Sequence, residues 1–254
     1  MRVDAASDVG RVRVRNEDAW LWRRLGAAEL LAVADGLGGH QAGDVASRLA
    51  LQALAEALGD AGPGALRRQR LEAAFHRANE AVWQAAQRRP DWSGMGTTLT
   101  AALVEAGELT VAHVGDSRAY LWRGGSLRQL TSDHSLVRAL VERGALSEEE
   151  AERLPERHIL TRAVGTAPEV EVDVVGLRLE PGDRLLLATD GLTAALSLEQ
   201  VVELLAQGGD RPAQRLVEAA NRGGAPDNVT VLVAELEAGT EGDREAGLAS
   251  GGLG

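Results

Sequence analysis

Cysteine is missing from all 254 residues, which excludes disulfides, thiolate nucleophiles and cysteine-ligated zinc, and fits a reducing compartment. Lysine is missing as well. All 27 basic residues are arginine, so neither a lysine nucleophile nor a Schiff base is available. No apolar run approaches the roughly 20 residues that cross a bilayer, and the N-terminus lacks a basic-then-apolar leader pattern, so a cytoplasmic protein with no membrane contact is expected. Basic residues are outnumbered by 38 acids. The formal net charge of −11 argues against nucleic acid or an anionic membrane as a partner and suits solubility or the binding of cations.

What is present supports one domain. At 44% hydrophobic residues the chain can bury a substantial core, which we expect over residues 1–238, followed by a disordered tail over 239–254 rich in Gly, Glu and Ala and without apolar periodicity. The stretch Leu30-Leu-Ala-Val-Ala-Asp35-Gly36 places an acid at the end of an apolar run of strand length, ahead of a glycine-rich connector and a helical pattern. Taken alone, Asp-Gly is an ordinary turn. The chain repeats the device, however: Asp116 follows Thr110-Val-Ala-His-Val114, and Asp190 follows Arg184-Leu-Leu-Leu-Ala-Thr189.

Around these acids the patterning alternates between strands and helices. Residues 3–32 read as β structure with turns, including an alternating Gly10-Arg-Val-Arg-Val-Arg15. Amphipathic helices are predicted over 45–58 and 65–88, with His76 a packing or surface residue. An antiparallel meander is predicted over 99–130. Residues 131–165 then break the rhythm with short polar helices, one opened by the capping box Ser147-Glu-Glu-Glu150, and read as a mobile flap. Strands over 170–179 and 185–188, helices over 197–205 and 213–220, and a last strand over 229–234 complete the pattern. Many strands with helix pairs between groups of them indicate an α+β fold, two packed sheets covered by helices.

Asp18, Asp35, Asp116, Asp190 and Asp227 each stand at or beside the end of an apolar β segment. Hard oxygen donors without His or Cys suit Mg²⁺ or Mn²⁺. Carboxylates crowded together without a cation repel one another, and two ions about 3.5–4 Å apart remove that objection while generating a hydroxide aimed at phosphorus. Arg13 offers the planar fork that grips phosphoryl oxygens bidentately. Such a site would equally suit a phosphoesterase acting on small molecules or nucleotides, or a non-catalytic binding module, and any one of the acids alone reads as a plain turn residue.

The motifs Gly10-x-x-Arg13-x-x-Asn-Glu-Asp18, Ala34-Asp-Gly-x-Gly-Gly-His40, Gly94-Met-Gly-Thr-Thr98, Val114-Gly-Asp-Ser-Arg118, Asp133-His-Ser135, Leu160-Thr-Arg162, Thr189-Asp-Gly191 and Pro226-Asp-Asn228 occur in one order. That order resembles the metal-dependent type 2C protein phosphatases, the PPM family, of the compact bacterial kind. The resemblance covers residues 3–234. It implies a four-layer α-β-β-α sandwich, two antiparallel sheets flanked by helix pairs, that hydrolyses phosphoserine and phosphothreonine in proteins by means of a metal-bridging hydroxide. By position it implies that Asp35 bridges two Mn²⁺ or Mg²⁺ ions. The Gly36 carbonyl and the Glu17/Asp18 pair, Asp18 the closer, would serve one ion, and Asp190 and Asp227 the other. Asp116 with Asp190 would match a third, weaker metal site. Arg13 would bind the phosphoryl group. A serine/threonine kinase is the implied partner class, and a monomer is expected. One departure stands out: Leu37 occupies the place where eukaryotic members have a His that acts as general acid. His40 is three residues on and reads equally well as a structural loop histidine, so water at the metals is expected to protonate the leaving oxygen.

Overall fold

The computed structural model describes residues 1–37, 42–59 and 67–236. The chain opens with strand β1 (Arg2–Asp8), crosses an irregular exposed segment, and forms the hairpin β2 (Ala19–Leu25) and β3 (Ala28–Ala34). A two-residue strand β4 (Gly36–Leu37) precedes the long helices α1 (Gly43–Gly59) and α2 (Arg67–Arg88). A second short strand, β5 (Gly96–Thr97), pairs with β4 and leads into the hairpin β6 (Leu99–Glu105) and β7 (Glu108–Val114). Next come β8 (Arg118–Arg123) and β9 (Ser126–Gln129), then the short helices α3 (Leu136–Glu142) and α4 (Glu148–Arg153) of the flap region. The chain finishes with β10 (Asp173–Arg178), β11 (Arg184–Ala188), the helices α5 (Asp190–Ala195), α6 (Leu198–Ala206) and α7 (Pro212–Arg222), and β12 (Val229–Glu235).

The strands form two five-stranded antiparallel sheets, ordered β1-β12-β11-β8-β9 and β10-β7-β6-β3-β2. Their inner strands are apolar on both faces, and the period of two sorts their side chains into separate cores. Leu30, Ala32 and Ala34 of β3 pack with Leu54, Leu71 and Phe75 against α1 and α2. Leu31 and Val33 point the other way and meet Leu185, Leu187 and Leu232 between the sheets. Leu186, Val231 and Val233 turn from the sheet that holds β11 and β12 toward Leu192, Leu205 and Leu216 of α5, α6 and α7. Three apolar layers thus separate four structural ones, the α-β-β-α sandwich expected. Each fully buried leucine contributes roughly 2 kcal/mol by leaving water.

Four local readings need correction. Residues 10–15 form no strand: Val12 and Val14 are 68% and 95% exposed, so alternation here reflects a solvated loop with no neighbour to pair with. The meander is interrupted, because the chain leaves one sheet at Val114 and enters the other at Arg118, where β8 pairs with β11 and β9. The strand expected from 170 starts at Asp173, and Asp190–Ala195 forms a short helix where none was foreseen. The capping boxes Ser147–Glu150 and Ser197–Gln200 form as their spacing predicts. No helix among the described residues is long and apolar enough to cross a membrane.

Candidate metal centre

The acids converge because strand ends do. In the β2–β3 pair Ala19 lies opposite Ala34, so the next residues out, Asp18 and Asp35, emerge side by side from one end of that sheet. In the facing sheet Ala188 lies opposite Val231, and Asp190 and Asp227 flank the same end of the β11–β12 pair. Asp116 sits where the chain passes from β7 to β8. All five are half-buried.

Hydrogen bonds hold this end together across the sandwich. The Thr189 hydroxyl donates to Asp18 Oδ2 at 2.8 Å and accepts from the Thr230 amide at 3.0 Å, tying an acid of one sheet to two strands of the other. The Asp35 peptide is fixed on both sides: its N–H donates to Thr98 Oγ1 at 2.9 Å, and its carbonyl accepts from the Thr98 amide at 2.9 Å and the Thr97 hydroxyl at 2.8 Å. Thr98 Oγ1 lies 2.7 Å from Ser117 Oγ, next to Asp116. Asn228 fastens the loop that carries Arg13. Its Oδ1 accepts from the Glu17 amide, and its Nδ2 donates to the carbonyls of Val9 and Arg15, all at 2.9 Å. Behind Asp190 only a glycine fits, since a Cβ on Gly191 would stand 2.0 Å from the Asn228 carbonyl oxygen.

Burial and like charge dominate the electrostatics. Desolvation, reinforced by Asp190 and Asp227, pushes the Asp18 carboxyl up to about 7. Asp116 rises to about 7 by desolvation, with Asp190 and Asp133 adding to it. Asp35 is raised by desolvation and then by Asp18, Asp190, Asp116 and Asp227 together. Among the described residues, Asp18 Oδ1 and Asp190 Oδ1 are buried without a hydrogen-bond partner. Unmet carboxylate oxygens inside a protein are costly unless a cation faces them. Among the described residues no three such side chains are already drawn to coordinating distance of a common point. Mutual repulsion of uncompensated carboxylates works against such closure. The donor set, oxygen only and partly orphaned, fits hard divalent cations.

Arg13 stands at the rim. Its Nη2 donates to Asp227 Oδ2 at 2.7 Å, and that bond raises its pKa further, leaving the other guanidinium N–H groups for a second anion. From the flap, His158 Nδ1 reaches within 3.7 Å of Asp190 Oδ2. A cleft of about 1090 Å³ runs from Asp116 and Asp190 along Val137, Val141 and His158 to Leu198.

Of the residues anticipated from sequence, Arg13, Glu17, Asp18, Asp35, Gly36, Asp116, Asp190 and Asp227 gather at this end of the sandwich, while His40 lies outside the described residues. Leu37 ends β4. The polar supports Thr98, Ser117, Thr189 and Asn228 had no assigned role. The signal for three of them was their position directly beside the acids, in Asp116-Ser117, Thr189-Asp190 and Asp227-Asn228.

Residues 11–221 match the family model described as Protein phosphatase 2C. The chain is 45% identical over 237 residues to the serine/threonine protein phosphatase PstP of Mycobacterium tuberculosis, covering 93% of this chain and 45% of that protein. It therefore spans about half the length of that relative. It is 37% identical over 244 residues to the serine/threonine phosphatase stp of Listeria monocytogenes, covering 93% of this chain and 96% of that one. A crystal structure of the PstP catalytic domain in complex with two manganese ions superposes with a TM-score of 0.82 at 44% identity, covering 93% of this chain and 98% of that one. By sequence and by architecture alike, the chain belongs to the protein phosphatase 2C family.

Proposed function

We propose that this protein hydrolyses phosphoserine and phosphothreonine in proteins, and that it depends on Mn²⁺ or Mg²⁺. The observation that carries the reading is the gathering of acids from both sheets at one end of the sandwich, where Asp18, Asp190, Asp116 and Asp227 all bear on Asp35 and where, among the described residues, one buried oxygen each of Asp18 and Asp190 has no hydrogen-bond partner. Asp35 would hold two ions, with Asp18, Glu17 and the Gly36 carbonyl completing one and Asp190 and Asp227 the other. Asp116, beside Asp190, would hold a third. Such ions supply the compensating charge and lower the pKa of water enough to make it a nucleophile at neutral pH.

The chain's own groups do the rest. Arg13 orients the phosphoryl group with the N–H donors that Asp227 leaves free, in the bidentate geometry a guanidinium favours. Thr189, Thr98 and Asn228 fix the acids before substrate arrives, so little reorganisation is needed at the moment of reaction. Leu37 has no proton to give, and the departing seryl or threonyl oxygen takes its proton from water. If His40→Ala lost activity on a phosphoserine peptide but kept it on an aryl phosphate, whose leaving group needs no proton, that assignment of the proton would be wrong.

A cleft of about 1090 Å³ with an apolar flank supports a polypeptide substrate over a nucleotide. We also propose that the protein acts in the cytoplasm as a monomer and opposes a serine/threonine kinase in signalling. Phosphate release should be measured on phosphopeptides and nucleotides with Mn²⁺, with EDTA, and with Asp190→Ala. Activity that survives chelation, or a preference for nucleotides, would overturn the reading.

A further inference from the structure

We propose that His134 is a positioning residue that ties both ends of the flap to the segment bearing Asp116, so that flap placement and the acid's placement are set together. The proposal rests on the metal-dependent phosphatase reading for its functional consequence, though not for its geometry.

His134 is 7% exposed and sits just ahead of α3. Its amide donates to the Gly115 carbonyl at 2.7 Å, and the Gly115 amide donates back to His134 Nδ1 at 3.1 Å. A backbone N–H can only donate, so Nδ1 is an acceptor and the ring proton lies on Nε2. Nε2 is 3.3 Å from Asp173 Oδ2, and Arg162 Nη1 donates to Asp173 Oδ1 at 2.9 Å. The 3.2 Å approach of Arg162 Nη1 to His134 Nε2 is then two donors converging on one carboxylate. The His134 carbonyl accepts from the Thr161 amide at 2.8 Å. One residue therefore joins the outgoing flap at 134, the returning flap at 161–162, strand β10 at 173 and the crossing at 115.

The crossing has little freedom of its own. Gly115 adopts φ +110°, and a Cβ there would lie 2.6 Å from Thr98 Cγ2, so the backbone is pressed against the residue that joins β5 to β6. On the far side of Asp116, the Ser117 carbonyl accepts from the Thr100 hydroxyl at 2.9 Å. Asp116 is held between two anchored residues, and the Gly115 anchor is the one whose partner also grips the flap. A flap displacement that pulls on His134 must strain the Gly115 bonds or break them.

The test separates the two halves of the tie. His134→Asn places an amide oxygen near the Nδ1 position and keeps the Gly115 bond while losing the reach to Asp173. His134→Gln keeps the reach and loses the Gly115 acceptor. Asp173→Asn, at a half-exposed site, weakens the flap side without touching the core. Amide exchange at residues 115 and 161 should be followed alongside steady-state kinetics on a phosphopeptide and an aryl phosphate. For His134→Asn and Asp173→Asn we expect a KM on the phosphopeptide raised roughly three- to thirtyfold, with kcat on the aryl phosphate kept and the Gly115 amide still protected. For His134→Gln we expect faster exchange at Gly115 and a lower kcat on both substrates. Variants that lose only thermal stability, with KM, kcat and exchange at 115 unchanged, would overturn the proposal. Should one His134 variant fail to fold, Asp173→Asn decides alone by the same criteria. If the wild-type protein releases no phosphate, the phosphatase reading fails, while the exchange at 115 and 161 still decides whether the tie exists.

Discussion

The side-chain oxygen of Asn228 accepts a hydrogen bond from the Glu17 amide at 2.9 Å, joining residues 211 positions apart. Through this contact and its two bonds to Val9 and Arg15, Asn228 sets where the Arg13 loop stands relative to Asp227. Asn228→Ala removes three largely buried hydrogen bonds at about 1 kcal/mol each and should cost about 3 kcal/mol in urea unfolding. The KM for phosphopeptide should rise as the loop loosens. Unchanged stability would mean that water replaces all three bonds.

Arg13→Lys keeps the charge and discards the fork. An ammonium can meet Asp227 or a phosphoryl oxygen, but it cannot make two parallel bonds to the latter. The KM on phosphopeptides should rise about tenfold or more with the melting temperature unaltered, because the Arg13 side chain is 56% exposed and supports no core. An unaltered KM would remove Arg13 from the substrate site.

The metal-free protein should respond to pH in a defined direction. Asp18 and Asp116 are raised from 3.8 to about 7, and Asp35 is raised as well, so the folded state binds more protons than the unfolded one between those values. The stability these three acids contribute in EDTA should therefore be complete below about pH 4 and be lost as pH climbs toward and through about 7. Saturating Mn²⁺, which favours the ionised carboxylates, should abolish or reverse that slope. Thermal melts at pH 5 and 8, with EDTA and with Mn²⁺, check both signs.

Gly191→Ala tests how closely Asp190 is backed by the neighbouring strand. The added methyl group would stand 2.0 Å from the Asn228 carbonyl oxygen, which is backbone and cannot rotate away. Displacing either partner moves Asp190 or Asp227. We expect a loss of about 1–3 kcal/mol in stability and a weaker dependence of the melting temperature on Mn²⁺, read by thermal titration.

Much of this architecture was legible in the sequence because the signals are local. Leu30–Ala34 and Leu185–Ala188 are runs of strand length that end in acids, and Ser197–Gln200 writes a helix start in four residues. The exposed Val12 and Val14 misled because alternation is a property of the chain, whereas a strand needs a neighbour. The jump between sheets at Gly115–Ser117 was invisible for a related reason: hairpin spacing cannot say which sheet the next strand will join. The acids were legible as carboxylates at strand ends. Their supports were not, since Thr98, Thr189 and Asn228 act through bonds to residues up to 219 positions away, and a lone polar residue announces no partner.

The pairing of β1 with β12 runs from Arg2 opposite Glu235 to Asp8 opposite Val229. Strand β1 thus waits for β12, more than 200 residues on, before it gains a neighbour, and Asp227 arrives just ahead of β12. On the proposed reading, a product cut short of residue 227 lacks both the partner of β1 and one of the acids assigned to the metals, and should release no phosphate, however well its helices form.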